Sequence, residues 1–143
     1  MFRKAAGITL VELVVVLAIL SFLLLVAIPG YREQVRRTYR AVARAELQKV
    51  VLRQEQFFIR NQAYAATLGE LRYPGDSYVL ARDGSRLAAM AGEGIYVVSM
   101  AGEGEIYELN ASPLKADPRC GQLSLDGLGT RGASGPGGVA NCW

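Results

Sequence analysis

The sequence predicts an α+β chain: one long N-terminal helix packed on an antiparallel sheet of about four strands, with a cysteine-bounded C-terminal loop. Three observations carry that expectation. Ile8 to Ile28 is an apolar run broken only by Thr9, Glu12 and Ser21. From Tyr31 to about Asn61, apolar residues recur at threes and fours with arginines between them, the period of an amphipathic helix. Beyond Gly75, short strand-like runs are punctuated by glycine, as in a sheet joined by turns. The 143 residues divide accordingly into a short basic segment (1–7), an apolar helix (8–28), an amphipathic helix (29–61) and a globular head (62–143).

Composition argues against an enzyme. There is no histidine, which removes imidazole acid–base chemistry, His-activated nucleophiles and the commonest metal ligand. Two cysteines cannot furnish a four-ligand zinc cage. No cofactor and no metal is expected. The net charge of +3 is modest, but it has a direction. Residues 31–60 carry eight bases against three acids, whereas residues 61–143 carry six bases against nine acids. Arg36, Arg37 and Arg40 therefore form a candidate anion or DNA contact. The alternative is that this charge run is the wet face of an amphipathic helix.

The apolar run opens the chain. Its 21 residues as a helix span roughly 31 Å, close to the roughly 30 Å hydrocarbon thickness of a bilayer. Arg3 and Lys4 precede it, and the positive-inside tendency keeps such residues in the cytoplasm. The head then lies on the far side of the inner membrane. Ser21, Ala27 and Gly30 form no secretory cleavage pattern, so the helix is expected to be retained. Glu12 is the outlier, since an acid at mid-bilayer costs about 2.5–3.5 kcal/mol on insertion scales and less near a helix end. Thr9-x-x-Glu12 fits a capping box. Alternatively, a cut between Gly7 and Ile8 would create a charged amine for Glu12 to meet on a neighbouring chain. The two readings are compatible.

At this point the residues resemble a known family. Gly7-Ile8-Thr9-Leu10-Val11-Glu12, the apolar run, and then Ala27-Ile28-Pro29-Gly30-Tyr31 resemble the N-terminus of type IV pilins and related pseudopilins. The resemblance implies that residues 1–7 are a leader removed by a prepilin peptidase after Gly7, and that Ile8 is N-methylated. It also implies that Thr9 and Glu12 take part in docking subunits into a helical filament. The first mature residue is more often Phe; Ile8 is a tolerated variant.

Downstream of the anchor, Pro29 has no amide to donate and is expected, with Gly30, to kink or interrupt the helix. Val35, Tyr39, Val42, Ala43, Leu47, Val50, Val51 and Phe58 should pack on the sheet, with the bases pointing outward or toward neighbours. Residues 61–75 read as a loop with a short helical turn around Ala65–Leu71. Strands are expected at Ser77–Arg82, Ile95–Met100 and Glu105–Leu109, with a weaker one at Leu123–Leu125. The near-repeat of Met90-Ala-Gly-Glu-Gly at Met100-Ala-Gly-Glu-Gly places a hairpin turn at Ala101–Gly104. Its glycines lack the strand–helix context of a phosphate loop.

Cys120 and Cys142 bracket a glycine-rich tail that cannot order itself by burial. A disulfide there would contribute roughly 3 kcal/mol on the chain-entropy model and would persist outside the cytoplasm; two separate buried thiols are the alternative. The tail also resembles the disulfide-bounded loop of pilins, and most of all the minor pilins that support pilus assembly. Asp117 and Asp126 do not make a spaced calcium ligand set.

The leading expectation is a structural subunit of a type IV pilus, a minor pilin, with roles in pilus assembly and through it motility, adhesion or DNA uptake. Its implied partners are other pilins through their N-terminal helices, the prepilin peptidase, the pilus assembly machinery, and the inner membrane before assembly. After assembly it would lie in the extracellular pilus. A type II secretion pseudopilin and a major pilin are the alternatives of the same class. A DNA- or surface-binding module working through the basic neck or the cysteine loop is the alternative of a different class.

Overall fold

The computed structural model describes residues 9–88, 94–103 and 106–143. Gly7, Ile8, residues 90–93 of the near-repeat and the pair Gly104-Glu105 lie outside the described residues. The chain forms two compact units, Met1–Arg36 and Arg37–Trp143.

One helix, α1, runs Leu10–Asn61 with Pro29 inside it. Of the kink or interruption expected at Pro29, the interruption does not occur. A proline removes a single i→i−4 bond, and long helical segments continue on both sides of it. Within the first unit every residue from Leu10 to Ile28 is exposed, and an 18-residue window of mean hydropathy 3.0 has none of its surface buried. That stretch is long and apolar enough to cross a membrane.

The second unit is the head. Its sheet has six strands, not the expected four: β1 (Ser77–Leu80), β2 (Arg86–Ala88), β3 (Tyr96–Glu103), β4 (Ile106–Pro113), β5 (Leu123–Asp126) and β6 (Arg131–Ala133). Their order is β2-β1-β3-β4-β5-β6, and every pairing is antiparallel. The two unforeseen strands are the edges. At three residues each, Arg-Leu-Ala and Arg-Gly-Ala, they are too short to show a period of two, and their neighbours' ladders recruit them. The hairpin expected between β3 and β4 is present but its turn is displaced. β3 continues through Ala101 and Gly102 to Glu103, which pairs with Ile106.

Alternation puts one face of the sheet inward. Along β4 the buried residues are Tyr107, Leu109 and Ala111. Tyr78 pairs with Val98, Val98 with Ala111 and Ala111 with Leu123, so one buried row crosses four strands. The helix answers with Ala43, Leu47 and Val50, which join these residues in a single core cluster. The same helical face also buries Arg40, Glu46 and Gln54. Arg40, buried on the head side of the helix, departs from the expectation that the bases point outward or toward neighbours. A short helix, α2 (Gly138–Cys142), ends the fold.

Candidate functional site

The first unit offers an assembly surface. Its one ionisable residue after Leu10 and before Tyr31 is Glu12. The Glu12 amide donates to Thr9 Oγ1 at 3.2 Å, and the Leu13 amide to the Thr9 carbonyl at 3.2 Å, so Thr9 caps the helix start. Ser21 is satisfied within the helix, its hydroxyl donating to the Leu17 carbonyl at 2.8 Å. The remaining side chains of this stretch are apolar apart from the carboxylate of Glu12.

The structure separates the three arginines first singled out. Arg36 is half-buried and lies 3.9 Å from the Glu33 carboxylate, and Arg37 is exposed. Arg40 is only 3% exposed, so it cannot serve as a DNA contact. Its Nε donates to Asp117 Oδ2 at 2.6 Å and its second guanidinium nitrogen to Oδ1 at 2.8 Å. Asp117 Oδ1 also accepts the amides of Arg119 and Cys120. Burial pushes the Asp117 carboxyl up, but Arg40 and these amides outweigh it and hold it below the usual carboxylate range. The pair fastens α1 to the residues that lead into the cysteine loop.

That loop is closed by the Cys120–Cys142 disulfide, with Cα atoms 5.6 Å apart. Further ties run inside it. The Gly135 amide donates to the Cys120 carbonyl and the Gly137 amide to the Arg119 carbonyl. Trp143 Nε1 donates to the Gly132 carbonyl at 2.7 Å, with the Arg131 guanidinium 5.5 Å from its ring. A Cβ on Gly135 would stand 2.4 Å from the Arg119 carbonyl oxygen, so this close crossing requires glycine.

A second buried ion pair sits where α1 meets β1 and β2. Glu46, 1% exposed, accepts from Tyr78 Oη at 2.8 Å and from Arg86 at 3.1 Å through Oε2. Burial, reinforced by the hydrogen bond to Glu46, drives the Tyr78 hydroxyl far above its ordinary value. The hydrogen bond to Glu46 likewise raises Arg86. Tyr73 stacks on Tyr78, and the guanidiniums of Arg53 and Arg86 lie 4.5 and 5.0 Å from its ring centre. These groups anchor an edge of the sheet, with Arg53 and Arg86 half-buried.

A second basic surface that faces solvent lies further along the helix. Arg53, Gln56, Phe57 and Arg60 from α1, with Glu70, Leu71 and Arg72 from the following loop, line a groove of about 210 Å³. Gln54 fixes that loop: its amide nitrogen donates to the Ala65 carbonyl at 3.0 Å, and its oxygen accepts the Ala65 amide at 2.9 Å. Arg53 donates to the Leu71 carbonyl at 3.3 Å. Glu70 accepts the Ala66 amide at 2.8 Å, which uses part of the only acid in the groove. Arg72 holds a left-handed φ of 63°, a conformation disfavoured for side-chain-bearing residues. Arg53, Arg60 and Arg72 bring three guanidiniums to a groove that Phe57 also lines, and clustered bases suit a phosphate backbone. Sequence reading missed this groove, although Arg53, Phe57 and Arg60 at i, i+4 and i+7 share a helix face. Arg72 carried no signal.

A long helix with an exposed apolar first half, an antiparallel sheet stacked on its second half and a disulfide-closed tail define a type IV pilin. The N-terminal sequence agrees, since residues 2–28 match the prokaryotic N-terminal methylation motif. Residues 29–124, about two thirds of the chain, match the family described as type IV minor pilin ComP, DNA uptake sequence receptor. The chain belongs to that minor pilin family, whose members are structural subunits that assemble with other pilins. No curated protein and no solved structure matches the chain.

Proposed function

We propose that this minor pilin is cut between Gly7 and Ile8, methylated at Ile8 and held in the inner membrane by its apolar helix with the head in the periplasm. It then enters a type IV pilus, where its head contacts DNA during uptake. The observation that carries this reading is the joint match to the methylation motif and to the minor pilin family. Arg3 and Lys4 favour the orientation. For assembly, apolar surface gains little on moving from lipid into a bundle of like helices, so packing and polar pairing set the stagger. A free amine at Ile8 and the carboxylate of Glu12 are the polar groups at hand.

The DNA role rests on the family description and on the groove of Arg53, Phe57, Arg60 and Arg72. Of the contact first assigned to Arg36, Arg37 and Arg40, only Arg40 is buried; the groove is a second candidate beside the other two. The test is a gel shift with the detergent-solubilised full-length protein across a salt series. Replacing both Arg60 and Arg72 by alanine is expected to weaken binding and to flatten the salt slope by about 2, near one unit per lost phosphate contact. A slope unchanged in the double variant rules the groove out as the DNA contact.

A further inference from the structure

Where the apolar stretch of α1 gives way to charge, the chain sets down an aromatic ring and then two bases. From Ile8 to Gly30 the one charged side chain is Glu12. Tyr31 follows at 72% exposure, then Arg32, exposed, and Arg36, half-buried, all within the first unit. At i and i+4, the two arginines share one helix face. The Arg32 guanidinium pairs with no carboxylate among the described residues. Arg36 has Glu33 beside it at 3.9 Å, with the two side chains 40% and 28% exposed. That distance is beyond hydrogen-bond reach, and a pair so wet is weak, so the donors of Arg36 stay available to a phosphate.

Depth selects the occupant. At about 1.5 Å per helical residue, Arg32 lies about 6 Å and Arg36 about 12 Å past Ile28. The polar headgroup layer is about 5–7 Å thick on each side of the hydrocarbon. Arg32 therefore sits inside that layer, and Tyr31 stands at the boundary where amphipathic rings settle. Side chains on a helix tilt toward its N-terminus, here toward the bilayer, so the long stem of Arg36 reaches back into the same layer. A guanidinium grips a phosphodiester through parallel N–H donors.

We propose that Tyr31, Arg32 and Arg36 seat the headgroup of an acidic phospholipid, one whose phosphodiester charge no amine balances, in the leaflet from which the head emerges. The proposal rests on the membrane-held state described above and adds a lipid preference to it. It also supplies an anchor. From Ile8 to Arg36 the basic side chains are Arg32 and Arg36 alone, so a cut after Gly7, which takes Arg3 and Lys4 away, leaves these two to hold lipid phosphate. Duplex DNA is the poorer occupant at this depth, because it would have to approach a bilayer of its own charge.

The test reconstitutes the full-length protein in phosphatidylcholine vesicles carrying a trace of spin-labelled phosphatidylglycerol or spin-labelled phosphatidylcholine, and compares how strongly each label is immobilised at the protein. Phosphatidylglycerol is expected to associate at least about threefold more strongly, within the roughly fivefold per base that anionic lipid supplies, and the preference should weaken at high salt. Arg32→Gln with Arg36→Gln should bring the ratio close to one. Arg32→Lys with Arg36→Lys, and separately Arg3→Gln with Lys4→Gln, should each keep most of the preference. A native ratio of one, with both labels immobilised, overturns the lipid seat and leaves the membrane reading standing. A preference that disappears with Arg3 and Lys4 but survives loss of Arg32 and Arg36 belongs to the leader and overturns the seat. Displacement of the labelled phosphatidylglycerol by added duplex DNA also overturns it. Immobilisation of neither label puts the chain outside the bilayer and overturns both readings.

Discussion

Arg40 and Asp117 are 77 positions apart and meet in a doubly hydrogen-bonded pair whose side chains are each only 4% exposed. Two charges taken from water gain little net stability together, yet losing one partner strands the other. Arg40→Ala is therefore expected to destabilise the head by about 3–5 kcal/mol, seen as a lower urea midpoint. Arg40→Met with Asp117→Leu should recover most of that loss. The sign of the pH dependence follows from the depressed Asp117 carboxyl. Its stabilising effect is fully present above the unfolded value of about 3.9 and fades as pH falls through the lower folded value. Urea midpoints measured from pH 6 down to 2 should drop less steeply in the double variant than in the native chain. Equal slopes would remove Asp117 from the acid response. A tyrosine gives a parallel readout. Burial, then the Glu55 charge, pushes Tyr107 up to about 12, so its phenol should stay neutral in an absorbance titration through pH 11.

At the scale of elements, the cysteine loop combines a covalent closure with amide ties at its base. Breaking the disulfide by Cys120→Ser and Cys142→Ser should cost roughly 3 kcal/mol on the chain-entropy model. The ties from Gly135 and Gly137 should keep the loop's amides protected from hydrogen exchange until the head itself unfolds. Gly135→Ala tests those ties with the disulfide intact. With a methyl 2.4 Å from the Arg119 carbonyl oxygen, it should expose the loop amides while the sheet amides stay protected. Much of this element structure was legible in advance. The long apolar and amphipathic stretches announced α1, and strand-like runs between turn glycines announced β1, β3, β4 and β5. Edge strands of three residues, Arg86–Ala88 and Arg131–Ala133, carry no pattern of their own and exist through their neighbours. Long-range charge pairing was illegible for the same reason. Arg40 looks like any other wet-face arginine until the fold brings Asp117 beneath it. Helical spacing could have gathered Arg53, Phe57 and Arg60, whereas Arg72 joins them only because Gln54 pins the loop at Ala65.

For the whole molecule the decisive question is what sets the register of one apolar helix against others like it. From Leu10 to Ile28 every side chain is exposed, and within a greasy bundle most of them are interchangeable with lipid. Translating such a helix by one turn alters its apolar contacts little. On the proposed pairing of Glu12 with the Ile8 amine, it alters the surroundings of Glu12 a great deal, because a carboxylate moved away from that amine would be left charged in a medium that penalises it. Glu12→Ala removes that discrimination and also makes insertion easier. The variant should reach the membrane at normal level, and its incorporation into pili should fall at least about tenfold, near 1.4 kcal/mol of lost docking preference. Quantitative blotting of membrane and sheared-pilus fractions separates the two effects. Glu12→Gln sharpens the comparison, since it keeps a hydrogen-bonding side chain of the same shape and loses only the charge. If Glu12→Gln enters pili normally while Glu12→Ala does not, hydrogen bonding sets the register; if both fail, the ion pair with the Ile8 amine does. The second outcome carries its own consequence. Gly7→Glu, which should block the cut, would leave Ile8 without an amine and reproduce the Glu12→Ala defect in a chain heavier by the uncut leader.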